Sequence, residues 1–600
     1  MEENQPNPKP GVQDGEPEKV EAGLDEYAYK DVLFTSEVFK VELKNLPKYY
    51  GMAQLRKFLT KKMELNITKV KAPSVKSRGF AFVCFPSAEE RDKALKVLDG
   101  AKFKNSTLGV KLAKPAPDPF VMKRKEEEAD GPNKKPKIET EEEQNAMLQK
   151  CVSPLYDVPY EKQLSQKMDE AKTWISKLGF ALVKANPALE EWAEKQKALN
   201  GGLVCKLHEI KSLPEFCESY RNKCEFTIGT NNLTQKRTVG FRLGSYASGT
   251  IEVAPIENVK IVPEVTAKAV KVFEKFVQAS EYDVFSPATL KGHWKQLTVR
   301  VGTLTGQLML IVGFHPQNLT DEEIKKVKED VKTFFTEGDG NQLTVDSLYF
   351  EIMKRKDRGQ TSQPAELLLG KESILESMCG LKFNISPQSF FQINTRCAEL
   401  LVSTVKELAD INEETVVFDI CCGIGTFGLC LAKDCKKVMG VEIVDKAVQD
   451  ARTNASQNGI TNCEFFSGKA EDIITSVVKR VSNDRIVGIV DPPRAGLHKN
   501  AVLMLRKIEN LNNFVYLSCD FKAAFNNFTD LGRPPSKTMS GAPFVPVAAV
   551  PVDVFPQTNH YEFILYFERL NINDDNTDSS TIVKNDVESA EIVSPSVENS

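Results

Sequence analysis

The sequence predicts an α/β fold for its C-terminal region, and three observations predict it. Between residues 386 and 570, short buried apolar strands alternate with helical segments. The first of these strands runs directly into a glycine-rich turn, and two later strands end in residues that carry chemistry, at 491 and 519. Uninterrupted apolar strands separated by helices mark a parallel sheet covered on both faces. Ligands of such sheets bind in the crevice at the strands' carboxyl ends.

A chain of 600 residues exceeds what one hydrophobic core organises. Residues 1–37 are rich in Pro, Glu, Asp and Gly and are expected to be disordered. Residues 38–114 read as a compact β-α-β-β-α-β unit, with strands at 39–43, 81–85 and 110–112 and helices at 53–62 and 88–98. A charged linker over 115–150 carries Lys123-Arg124-Lys125 and Lys134-Lys135-Pro136-Lys137, readable as a two-part nuclear localisation signal or as a solvated spacer. A helical connector spans 151–202. A central α+β insert domain, expected to bind RNA, spans 203–385, with strands at 224–228, 297–301 and 308–313 and helices at 264–276 and 321–335. The α/β domain follows over 386–570, and the acidic tail 571–600 is again expected to be disordered.

The composition sets bounds on function. A formal net charge of -4 offers no global attraction for nucleic acid, so any RNA must meet local basic patches. The 13 cysteines contain no CxxC pair, which argues against a zinc or iron–sulfur site and for a reducing compartment. No apolar run is long enough to span a bilayer, and the polar, acidic start is not a secretory signal. We therefore expect a monomer of the cytosol or nucleus, with no membrane and no metal.

The run Asp419-Ile420-Cys421-Cys422-Gly423-Ile424-Gly425-Thr426-Phe427-Gly428 turns a strand into a helix. Glycines there let the backbone approach a ligand closely. The loop lacks the third glycine of a dinucleotide cradle at its usual place, which suits a phosphate-free cofactor such as S-adenosylmethionine. Glu442, ending the next strand, is placed to accept both ribose hydroxyls of a nucleoside.

Two later segments carry the reaction. The strand over 486–490 ends in Asp491-Pro492-Pro493-Arg494, and the strand over 514–517 ends in Ser518-Cys519-Asp520. Enzymes that methylate exocyclic amines favour an aromatic residue after Asp-Pro-Pro; Arg494 stands there instead, which leaves carbon as the acceptor. Carbon 5 of a pyrimidine is scarcely nucleophilic until a thiolate adds at carbon 6. A base must then remove the carbon-5 proton so that the sulfur can leave. Cys519 fits the first role, and Glu562, at the start of the last strand in His560-Tyr561-Glu562-Phe563, fits the second.

Near the other end, Arg78-Gly79-Phe80-Ala81-Phe82-Val83-Cys84-Phe85 fits the eight-residue ribonucleoprotein pattern at every position. On a strand, Phe80 and Phe82 share a face and can stack on bases, with Arg78 free to meet phosphate. The partner strand puts Glu42 where an aromatic usually stacks, which removes one platform and adds repulsion toward phosphate. The unit is thus an RNA-recognition motif, or RRM, of ferredoxin-like α+β type, serving RNA or a protein partner.

Taken together and in order, Ser389-Phe390-Phe391-Gln392-Ile393-Asn394, the 419–428 loop, Asp491-Pro492-Pro493-Arg494, Ser518-Cys519 and Phe555-Pro556-Gln557-Thr558-Asn559-His560-Tyr561-Glu562 resemble the RNA uracil-5-methyltransferase family over roughly 200–570. The resemblance implies a Rossmann-like S-adenosylmethionine methyltransferase domain acting on the T-loop uridine at tRNA position 54. It implies Cys519 as nucleophile and Glu562 as proton acceptor. It also implies cofactor contacts from Gln392, Glu442 and Asp491, with Cys421 and Gly423 beside the methionine part. The chain departs from the family in one place: Asp520-Phe521 replaces the common Asn-Pro, and the added carboxylate is expected to raise the Cys519 pKa. Two alternatives stand beside this reading. An RNA cytosine-5 methyltransferase shares the thiol attack but is expected to carry Pro-Cys or Thr-Cys where Ser518-Cys519 stands. A catalytically idle RNA-binding or chaperone protein would keep the fold alone.

Overall fold

The computed structural model describes residues 39–47, 50–71, 79–113, 138–244, 251–354, 364–481 and 484–570. Arg78, both basic runs of the linker and the two terminal segments lie outside the described residues. The chain forms two units, described here separately.

In the N-terminal unit the sheet order is Lys69–Lys71, Phe80–Cys84, Lys40–Lys44, Gly109–Leu112, antiparallel throughout. Alternation does the sorting: Val41, Leu43, Ala81 and Val83 are fully buried under the helices Met52–Lys57 and Ala88–Leu98, against Leu55, Ala94 and Leu98. Ser87 caps the second helix, its Oγ accepting from Glu90 N at 3.3 Å. The strand Lys69–Lys71 carries one apolar residue between two lysines, too weak a pattern to read from sequence.

The larger unit holds two sheets. The central one runs Val253–Ala254, Arg237–Arg242, Lys223–Thr230, Trp294–Val301, Leu308–Phe314, Ser347–Ile352, Glu366–Gly370. The helices Glu264–Ala279 and Asp321–Thr336 bury Phe273, Val331 and Phe335 against one face, built from Phe226, Leu297, Val299 and Leu310. The second helix starts at a capping box formed by Thr320 and Glu323.

The C-terminal sheet runs Cys463–Ser467, Lys437–Glu442, Thr415–Ile420, Arg485–Val490, Leu511–Ser518, Glu562–Arg569, Phe544–Val552, Lys206–Leu207. Its first five strands are parallel, as the sequence predicts. The strand Glu562–Arg569 is antiparallel to both its neighbours, so the sheet is mixed. The strand Phe544–Val552 escapes sequence reading because Pro546 and Pro551 interrupt it. A bulge absorbs the first proline, and the outer neighbour pairs in register only at Ala548 and Ala549.

The helix Tyr160–Ala185, which the sequence suggests as a connector, packs into this sheet's core. Ala171, Ile175, Leu178 and Leu182 are fully buried in one cluster with Phe521 and Phe528, and Trp174 lies 5.5 Å from the Phe521 ring. Gly179 is required there, since a Cβ would come within 2.5 Å of Val204 Cγ1. No helix among the described residues is long and apolar enough to cross a membrane.

Candidate active site

The carboxyl ends of the parallel strands gather the residues singled out from the sequence. After Thr415–Ile420 the chain turns through Cys421, Gly423 and Gly425, all at positive φ (66°, 55° and 82°). Nothing lies within 4 Å of a Cβ placed on Gly423, so the loop faces open space. Glu442 closes the loop from the next strand. One carboxylate oxygen accepts from Gly423 N at 3.1 Å and the other from Val444 N at 2.9 Å. Asp419 is fully buried; Oδ2 accepts from Gly428 N at 3.0 Å and Oδ1 has no partner among the described residues. Burial first, then the charges of Asp491 and Glu442, push its pKa up to about 7 against the pull of the Gly428 bond. Burial also raises Asp491 to about 7. Burial and the neighbouring carboxylates push the Cys421 thiol up to about 12, which disfavours a thiolate there.

Gln392 arrives from a different direction, on the 386–394 segment. Arg300, 3% exposed, donates to the carbonyls of Ser389 at 2.8 Å and Ser386 at 3.4 Å. Both serine hydroxyls donate to Asp450 Oδ2, at 2.8 and 3.0 Å. Asn222 Nδ2 donates to the Gln392 carbonyl at 2.8 Å, and Asn394 caps the helix Thr395–Leu408. The segment so held exposes Phe390, 65% accessible, and buries Gln392.

The two residues expected to react lie at one end of a strand pair. Leu511–Ser518 and Glu562–Arg569 are antiparallel, with Ser518 opposite Phe563 as the last pair. Cys519 follows Ser518 at a bend outside the ladder and Glu562 stands one residue before Phe563, so both lie at the same end of the pair. Cys519 is partly exposed, whereas Glu562 is buried and its Oε2 has no hydrogen-bond partner among the described residues. Burial, then the Glu562 charge, raises the Cys519 thiol to about 11, with Arg494 pulling the other way. Burial, then Asp491, holds the Glu562 carboxyl well above its usual range, again opposed by Arg494. Asp520 is not the leading cause that its sequence position suggests. Its Oδ1 instead accepts from Ala523 N at 3.0 Å and caps the helix Phe521–Leu531.

On the N-terminal unit, Phe80 and Phe82 stand half-exposed, ring centroids 5.7 Å apart and edge to face. The Lys40 ammonium lies 4.4 Å from the centroid of Phe82. The register lines Lys71, Phe82, Glu42 and Lys111 across one face, and Lys111 pairs with Glu42 at 3.1 Å. The repulsion expected from Glu42 is thus offset on its own sheet, and the face is basic although the chain is not.

The family model described as tRNA (Uracil-5-)-methyltransferase matches residues 290–570, and that of the RNA recognition motif matches 41–109. The tRNA (uracil-5-)-methyltransferase homolog A of Mus musculus is 43% identical over 547 residues, covering 91% of this chain and 86% of its own length. This chain belongs to the tRNA (uracil-5-)-methyltransferase family. Homolog A of Homo sapiens is 41% identical over 568 residues, covering 94% of this chain and 86% of its own. Among solved structures, that of the Pyrococcus abyssi tRNA (uracil-54, C5)-methyltransferase in complex with S-adenosyl-L-homocysteine is 23% identical, covering 63% of this chain and 82% of its own, with a TM-score of 0.46.

Several site features of this uracil-5-methyltransferase were not predicted from its sequence. Ile443 and Val444, 60% and 53% exposed directly after Glu442, offer apolar surface for a flat ring. The aromatic Phe390 is equally anomalous as an exposed side chain. Arg494, noticed for the aromatic it replaces, acts electrostatically on both Cys519 and Glu562. An apolar pair after the strand-ending acid was a usable signal; the Arg300 brace had none, being distant in sequence from the loop it holds.

Proposed function

We propose that this methyltransferase moves a methyl group from S-adenosylmethionine to carbon 5 of a tRNA uridine, the T-loop uridine at position 54, through a transient bond to Cys519. What supports this is the position of Cys519 and Glu562 at the same end of one strand pair, with the Glu562 charge acting on the thiol and one buried Glu562 oxygen without a partner among the described residues.

The residues present suit the cofactor. Glu442, with Ile443 and Val444 beside it, would take the ribose and the adenine ring. Asp491 and Gln392 would take the polar methionine end above Gly423. When bound, S-adenosylmethionine supplies an electrophilic methyl group on a sulfonium centre. The protein's own work begins with a uridine turned out of its stack into the crevice, at a cost of a few kcal/mol. The Cys519 sulfur bonds to carbon 6, and the electron pair of the 5,6 double bond moves toward carbon 5, which becomes the methyl acceptor. Glu562 then takes the carbon-5 proton, the double bond re-forms and the carbon–sulfur bond breaks.

Burial favours the protonated form of both groups, and it raises the Cys519 thiol to about 11. The thiol proton must leave before attack, and Glu562 must be ionised before it can accept. Arg494 favours both ionised forms.

The test is methyl transfer to full-length tRNA transcripts bearing uridine or cytidine at the target. Transfer to uridine alone, with 5-methyluridine as product, is expected; methylation of the cytidine transcript, or none of either, overturns the proposal.

A further inference from the structure

The carboxyl of Glu562 lies at the end of a long hairpin connection, residues 553–561, and loops of that length do not hold their own shape. This one is held from outside. Four consecutive carbonyls each accept a bond from another part of the unit or the loop itself: Val554 from Asn394 Nδ2 at 3.2 Å, Phe555 from Lys167 Nζ at 3.2 Å, Pro556 from Tyr220 Oη at 3.0 Å, and Gln557 from Leu155 N at 3.0 Å. Gln557 takes a left-handed conformation, φ 63°, and its N–H donates to Gln163 Oε1 at 2.8 Å. At the loop's root, Asp553 is fully buried. One of its oxygens accepts from the Lys167 ammonium at 2.7 Å and the other from Tyr160 Oη at 2.9 Å. Tyr160, Gln163 and Lys167 all belong to the helix Tyr160–Ala185.

Stability alone does not account for this ion pair. Lys167 is 2% exposed and burial lowers its pKa, so charge has been taken out of water at both ends. Buried pairs of this kind rarely add net stability over apolar residues of similar size. They do fix geometry, and here the geometry they fix is the approach to Glu562.

We infer that Lys167 and Asp553 are a positioning pair for the proton-accepting step: through residues 553–561 they set the depth and direction of the Glu562 carboxyl, so that the helix Tyr160–Ala185 belongs to the catalytic apparatus. The inference rests on the base role proposed above for Glu562.

The test uses the full chain and full-length tRNA, following covalent enzyme–RNA adduct on denaturing gels beside product formation, KM and thermal melting. Four proteins are compared: Glu562→Gln, the charge-free double variant Lys167→Met/Asp553→Asn, Tyr160→Phe, which removes a single hydrogen bond, and Lys167→Arg, which keeps the charge. A misplaced base slows adduct resolution more than adduct formation. The double variant is expected to resolve its adduct about 10- to 100-fold more slowly, to accumulate it as Glu562→Gln does, and to keep its KM for tRNA. Tyr160→Phe is expected to show the same signature more weakly, and Lys167→Arg to restore part of the rate. A role in folding only would lower adduct and product together, in step with the active fraction, and that result overturns the inference. If Glu562→Gln itself traps no adduct, the base assignment fails; if it traps adduct while neither the double variant nor Tyr160→Phe does, the positioning role alone fails.

Discussion

Glu442 and Glu562 are two strand-end carboxylates in one crevice, and their surroundings differ in the way their proposed tasks require. Glu442 is partly exposed, with each oxygen already bonded to a backbone N–H. Such a group stays an acceptor and changes little as a ligand arrives. Glu562 is buried with one oxygen unbonded, and burial pushes its pKa upward. A carboxyl kept short of partners is poised to exchange a proton, because neither of its forms is strongly anchored. Recognition and proton transfer are thus told apart by hydrogen-bond partners, with the residue type the same.

Experiments can break that distinction. The largest effect is expected for Cys519→Ala, which should lower methyl transfer by about 10⁴-fold or more while still binding S-adenosylhomocysteine in a calorimeter; near-normal turnover would remove the sulfur from the mechanism. Glu562→Gln should lower turnover by about 10²- to 10⁴-fold and leave a slow-migrating protein–RNA band, whereas Glu442→Gln should leave none. The pH profile sharpens the comparison. Because the Cys519 thiol is raised to about 11, its reactive form grows with pH, and kcat/KM for tRNA should climb about tenfold per unit between pH 7 and 9. A flat profile there would mean that the thiol proton is shed before substrate binds. Glu442→Ala should weaken S-adenosylhomocysteine binding about 10- to 100-fold, with turnover largely recovered at saturating donor. The smallest effect is expected on the N-terminal unit, where Phe82→Ala should weaken tRNA binding by about 1 kcal/mol without changing the rate of a bound complex in single-turnover assays.

The proposed reacting end was legible in the sequence because each of its parts borders a strand with a strong local pattern. Asp491 and Cys519 follow apolar runs, and Glu562 precedes one. The RRM was legible for the same reason: the alternation over 80–84 names both its fold and its binding face. What escaped reading depends on distant partners. The antiparallel turn of the sheet was hidden by the prolines of Phe544–Val552, which contradict a buried strand until the bulge and the sparse outer pairing are seen. The helix Tyr160–Ala185 reads as a connector because amphipathic spacing shows that a face is buried and not what buries it. Glu42 reads as a defect until its cross-strand lysine is known.

The antiparallel register of Leu511–Ser518 with Glu562–Arg569 has a consequence for how such an enzyme can vary. Sulfur and carboxyl stand far apart along the chain, yet each is one residue beyond the last rung of a shared ladder of main-chain bonds. Segments inserted in the outward part of the intervening stretch, around residues 533–543, would lengthen the path without disturbing that ladder. Evolution is therefore free to remodel that surface while the placement of the two side chains stays constant.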